Sequence, residues 1–151
     1  MDLDVILAQA KPQILDEAFS TLDRMHVAHY EVAGEQFTRQ RLTDLFDLVI
    51  DAIRHRDLSA VVTYSERIAD ERFTGGFGIA DVQTAFNSLE QAMWRCVVVA
   101  EPPTDLAEAV GLLGTVLGAG KDALAREYVS LASCRHVPTL DLSSLFAGTA
   151  A

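Results

Sequence analysis

Apolar side chains return every three to four residues along almost the whole chain, and no segment sustains the period-two alternation of a half-buried strand. That spacing confines the chain to helices. The clearest case is Leu42, Leu45, Phe46, Val49, Ile50 and Ile53, which share one stripe while Arg41, Asp44, Asp47, Asp51 and Arg54 fall largely outside it. Thr38 stands at the N-cap of this helix, and His55 with Arg56 sits near the negative end of its dipole. Asp57 then caps a second helix. Leu58, Val61, Val62, Ile68 and Ala69 line one of its faces, and Glu66, Arg67, Asp70, Glu71 and Arg72 form a solvated side of mixed sign. Gly75 and Gly76 stop it.

A third helix is predicted from Ile79 to about Val99, with Val82, Phe86, Leu89, Met93, Cys96 and Val97 on its stripe. Trp94, Val98 and Val99 add apolar surface off that stripe, which predicts an end buried on more than one side. Pro102 and Pro103 end the segment. Thr104 or Asp105 caps the last helix, whose seam of Leu106, Val110, Leu113, Leu117, Gly120, Leu124 and Leu131 runs toward Ser133. Near the N-terminus Ile14, Leu15, Ala18, Phe19 and Leu22 make a stripe that kinks or restarts at Pro12. Met25 to Phe37 lacks a period and is read as a loop. The expectation is one all-α domain of about five helices over residues 1–135, a bundle or globin-like, followed by a tail over residues 136–151.

Charge narrows the partners. The 12 basic and 22 acidic side chains give a formal charge of −10, a field that repels phosphate backbones and anionic lipid, so neither nucleic acid nor membrane is expected. The longest uncharged stretch rich in large apolar residues, Ala109 to Gly120, has 12 residues where a span needs roughly 20. Asp2 and Asp4 stand where a secretory signal would carry basic residues, which makes the cytoplasm the expected compartment. Cys96 and Cys134 are then read as unpaired thiols of the buried, small-hydrophobe kind.

The densest polar constellation is Asp23, His26, His29, Tyr30, Glu31 and Glu35. No paired Glu-x-x-His motifs accompany it, so no metal is assigned, and the bland reading is a solvated loop with His29 or Tyr30 packing inward. A haem needs one axial histidine, for which His26, His29 and His55 are the candidates, but nothing selects among them and no cofactor is assigned. No G-x-S-x-G elbow or P-loop is present, and Gly75, Gly76 and Gly78 read as a turn between helices. Gly111, Gly114 and Gly118 are odd. Each weakens a helix interior by about 1 kcal/mol against alanine, so something should offset them. Close packing inside the fold ranks first, then a homodimer contact, then a ligand against the bare helix.

The stretch Tyr64 to Trp94, YSERIADERFTGGFGIADVQTAFNSLEQAMW, resembles the N-terminal helical domain of the RsbR-type co-antagonists of the stressosome, the RsbRD N-terminal family. The likeness rests on a helix ending in Glu-Arg, the glycine turn at Gly75 to Gly78, and a helix with Val82, Phe86, Leu89 and Trp94. The segment Leu45 to Leu58 also looks like the family's apolar helix and short acidic break. The resemblance implies a non-enzymatic sensory or regulatory module, dimeric, with a signalling protein as partner and a last helix leading toward an output domain. Related sensor domains are globin-like without haem, and the family has no catalytic residue to carry over. No phosphorylatable STAS domain follows the last helix, so a free-standing sensor and a fragment of a longer protein both fit.

Overall fold

Pro12 has no amide to donate, so a helix entering from the N-terminus cannot keep its hydrogen-bond ladder intact there. In the computed structural model, which describes residues 2–76 and 78–136, the chain breaks at Ala10 between α1 (Leu3–Gln9) and α2 (Lys11–Met25), with Pro12 in the first turn of α2 where no donor is needed. α3 (Ala28–Ala33), α4 (Glu35–His55), α5 (Ser59–Thr74), α6 (Ile79–Ala100) and α7 (Pro103–His136) follow. Seven helices and no strand form the described residues. The all-α expectation holds, with two more helices than the period revealed.

The extra elements are the split at Ala10 and α3. Met25 to Phe37 is therefore not a plain loop: His26 closes α2 in the left-handed region (φ 51°), six residues turn as α3, and Gly34 (φ 93°) admits α4. Thr38 lies inside α4, where its hydroxyl donates back to the Gly34 carbonyl at 2.9 Å, so it is not the N-cap. The N-cap of α5 is Leu58 and not Asp57, which stands one residue earlier and accepts from the Ser59 amide at 2.9 Å. α7 begins at Pro103 and reaches His136, so only residues 137–151 of the expected tail remain, and these lie outside the described residues.

α4 sits at the centre and touches all six other helices. Its stripe is buried as expected, with Phe46, Val49 and Leu42 almost fully enclosed. Burying one such side chain stabilises by about 1.5–3 kcal/mol. α7 makes its most extensive contact with α5 and also packs on α6, along Leu113, Val116, Leu117, Gly120 and Leu124. Here the glycine expectation is corrected. A Cβ on Gly111, Gly114 or Gly118 would meet nothing within 4 Å, whereas one on Gly120 would lie 3.0 Å from Phe86 Cε2, 3.0 Å from Val61 Cγ1 and 3.1 Å from Ser65 Oγ. Gly120 alone of these four permits close internal packing.

Two other expectations are overturned. Trp94 (40% exposed), Val98 (46%) and Val99 (88%) face outward, because the described residues bury the end of α6 along its Met93 and Val97 stripe and leave these three uncovered. Arg72, read as solvated, is 5% exposed. Of the thiols, Cys96 is half-buried and Cys134 exposed, and both are free.

Gly120→Val should lower stability by about 1–3 kcal/mol through overpacking, and Gly111→Ala should raise it by about 1 kcal/mol through helix propensity. Urea unfolding of dilute protein checks both. Equal effects at the two positions would mean that α7 does not seat on α5 and α6 as described.

Candidate functional site

The sequence places Tyr64, Ile68 and Arg72 at intervals of four, so they share one face of α5. That face turns inward. Tyr30 from α3, with Phe37, Thr38 and Arg41 from α4, meets it from the other side, and Val82, Ala85 and Phe86 of α6 close the floor. The result is a cluster of rings and guanidinium groups around a cavity of about 20 Å³.

Both cations stack on the same ring. Arg41 Cζ lies 5.0 Å and Arg72 Cζ 5.4 Å from the centre of Phe37, and Arg72 is 5.8 Å from that of Tyr30. Cation–π contacts of this kind contribute about 0.5–2 kcal/mol. His29 completes the wall, edge-on to Tyr30 at 5.1 Å and to Phe37 at 5.8 Å. The two arginines differ in what else they hold. Arg41 Nη2 donates to Glu71 Oε2 at 2.5 Å and remains partly exposed, whereas Nε and Nη2 of Arg72 are buried with no hydrogen-bond partner in the protein.

Burial and charge shift the neighbours accordingly. Burial pushes the Tyr30 hydroxyl up to about 12, with Arg72 opposing, and raises Tyr64, with Arg41 opposing. His29 titrates below its ordinary range, first because the imidazolium would be desolvated and then because Arg72 repels it. At neutral pH the cluster therefore carries neutral phenols, a neutral imidazole and the Arg41 and Arg72 cations.

The residues singled out in the sequence separate. A cleft of about 260 Å³ between α2, α3 and α4 is lined by Asp23, Tyr30, Glu31 and Glu35 together with Phe19, Leu22 and Thr38, so four of the six constellation members do converge. His26 and His29 are not among its walls. His26 is an exposed helix cap whose Nδ1 lies 2.6 Å from Glu31 Oε1, His55 is exposed in the last turn of α4, and His29 is enclosed by aromatic rings. Among the described residues no three His, Cys, Asp or Glu side chains are grouped to hold a metal ion. On α7, Gly111 and Gly114 are exposed and Gly118 half-buried, on a face that no other helix covers. Arg72 is the residue that sequence reasoning missed, although its phase on α5 marks it.

These features define a class: an all-helical domain with a buried cationic and aromatic cluster and one bare, small-residue helix face. The chain belongs to the family of the RsbT co-antagonist protein rsbRD N-terminal domain, whose model matches residues 12–132 and so spans most of the fold from α2 through α7. It is a family of regulatory signalling domains and not of enzymes. No match is found among curated proteins or among solved structures. No helix of the described residues is long and apolar enough to cross a membrane.

His29 gives a pH signature. Its folded value lies below the ordinary 6.5, so the unfolded chain takes up the proton first: the His29 contribution is intact above about pH 6.5 and is lost as pH falls through that value. The fall in urea midpoint between pH 7.5 and pH 5.5 should be smaller in His29→Gln than in the wild type. Equal falls would show that His29 is not held neutral by its surroundings.

Proposed function

We propose that the chain is a non-enzymatic sensory or regulatory domain of bacterial stress-response sigma-factor control, working in the cytoplasm as a homodimer. A bound ligand or a signalling protein shifts helices at the dimer interface. Family membership supports the signalling role. The observation that carries the dimer is the outer face of α7, where Gly111, Gly114 and Gly118 weaken the helix by about 1 kcal/mol each although a Cβ at any of them would meet nothing of the described residues within 4 Å beyond the helix itself. A second copy of α7 can approach such a face closely, and a two-fold contact between last helices can carry a displacement outward. Val110, 40% exposed beside this face, adds apolar area to it. The competing reading, haem or metal held by His26, His29 or His55, has no comparable observation in its favour.

Sedimentation velocity at tens of micromolar should show a dimer for the wild type. Gly114→Leu and Gly118→Leu should shift it toward monomer while circular dichroism stays helical. A wild-type monomer under those conditions sinks the dimer, and variants that unfold would place the two glycines in the core.

A further inference from the structure

A guanidinium cannot escape burial by losing its proton, as a lysine or a histidine can. Its enclosure has to be offset by a partner or relieved by movement. Arg72 takes part in none of the ion pairs of the described residues, and its Nε and Nη2 are closed off from water with no hydrogen-bond acceptor. Glu71, next to it in the chain, is held by Arg41 at 2.5 Å. The Tyr30 and Phe37 rings attract the cation, with Cζ 5.8 Å and 5.4 Å from their centres, but leave these two nitrogens unsatisfied.

Relief comes from whichever wall of the cluster yields first. α5, which carries Arg72, makes the most extensive contact of the fold with α7, and α4 and α6 are long helices of 21 and 22 residues with deeply buried stripes. α3 is the weak wall. It has six residues, too few to persist as a helix alone, no side chain caps its N-terminus, and it packs to any extent only on α4. His29 and Tyr30 are its buried residues, whereas Val32 is 84% exposed and a cleft of about 260 Å³ opens beside α2. Both ends of the segment stand at positive φ, His26 at 51° and Gly34 at 93°, and residues at element ends are the ones that absorb backbone changes when a segment swings. The Thr38 hydroxyl is 2.9 Å from the Gly34 carbonyl and 3.4 Å from that of Tyr30, so it ties the pivot more firmly than the segment beyond it.

We propose that residues 27–33 form a hinged flap over Arg72, which swings as a unit about His26 and Gly34 while α4, α5, α6 and α7 keep their packing. Opening takes the Tyr30 ring off the guanidinium and lets water satisfy Nε and Nη2. Closing returns His29 and Tyr30 to their buried positions. A ligand that pairs with Arg72 meets it only in the open form, which makes α3 a gate. The flap does not depend on dimerisation and holds for monomer or dimer.

Amide hydrogen exchange of the full chain under native conditions tests this. The Glu31 and Gly34 amides, bonded to the carbonyls of Val27 and Tyr30, should exchange together. After correction for intrinsic rates they should exchange about 100-fold or more faster than the amides of Leu45 to Ile53 in α4, with little dependence on urea. Phenylglyoxal, which modifies accessible guanidinium groups, should label Arg72 at a rate set by the same opening and faster than global unfolding allows. Arg72→Met, which keeps an unbranched stem and removes the charge, should slow exchange of both amides by about tenfold or more. Gly34→Ala should speed exchange and labelling alike, because a side chain strains the closed φ of 93° although a Cβ there would meet nothing within 4 Å. Glu31 and Gly34 amides that exchange only with global unfolding, an Arg72 that stays unlabelled while they exchange, or equal or faster exchange in Arg72→Met would each overturn the proposal. If Arg72→Met does not fold, exchange and labelling of the wild type and of Gly34→Ala decide the matter.

Discussion

The seat of α7 depends on the missing side chain at Gly120. Two helices, α5 and α6, present Val61, Ser65 and Phe86 to within about 3 Å of where a Cβ would stand. Dispersion attraction falls off so steeply that a gap of a fraction of an ångström forfeits much of it, and the contact between α5 and α7 is the most extensive in the fold. Once Gly120 fixes that approach, Leu113, Leu117 and Leu124 enter the core, and Gly111, Gly114 and Gly118 are turned away from Val61 and Phe86. Four glycines in one helix thus have two opposite meanings, decided by phase on a period of 3.6.

The position of α3 follows from a different force. Six residues are too few to hold a helix in water, so α3 owes its structure to what Tyr30 and His29 pack against. Their partners are the Phe37 ring and the Arg72 guanidinium. A cation that α5 places inside the fold is therefore also the group that α3 closes over. Aromatic rings are suited to this, since their faces attract a cation without themselves carrying a charge.

How far the sequence reveals this arrangement varies with the kind of signal. Periodicity marks α2, α4, α5, α6 and α7 because each has several turns, and Pro12, Gly75, Gly76 and Pro102 mark their breaks through backbone chemistry alone. α3 is hidden because fewer than two turns cannot display a period. Trp94, Val98 and Val99 mislead in the opposite direction: large apolar groups suggest burial, but among the described residues these three face outward. At the candidate site, Tyr30 is legible as an inward-packing residue and Arg72 is not. Assigning it to the solvated side follows residue type, whereas Val61, Ser65, Ile68 and Arg72 form one buried row when phase is followed instead. Pairing decides whether such a residue belongs in the row, and the partners here come from α3 and α4, beyond the reach of local spacing.

The same turn of α5 joins the buried cluster to the long helix. Arg72 and Phe73 are consecutive, hence about 100° apart around the axis at 3.6 residues per turn. One points among Tyr30 and Phe37, and the other sets its ring edge-on to Tyr128 of α7 at 5.6 Å. Beyond Tyr128 the helix carries the exposed Val129 and runs on to His136. A single backbone segment thus fixes two side chains with unrelated environments, one electrostatic and enclosed, the other aromatic and near the end of the domain. Any rotation of that turn that relieved the guanidinium would displace Phe73 against Tyr128 at the same time, because a helical turn moves as a unit.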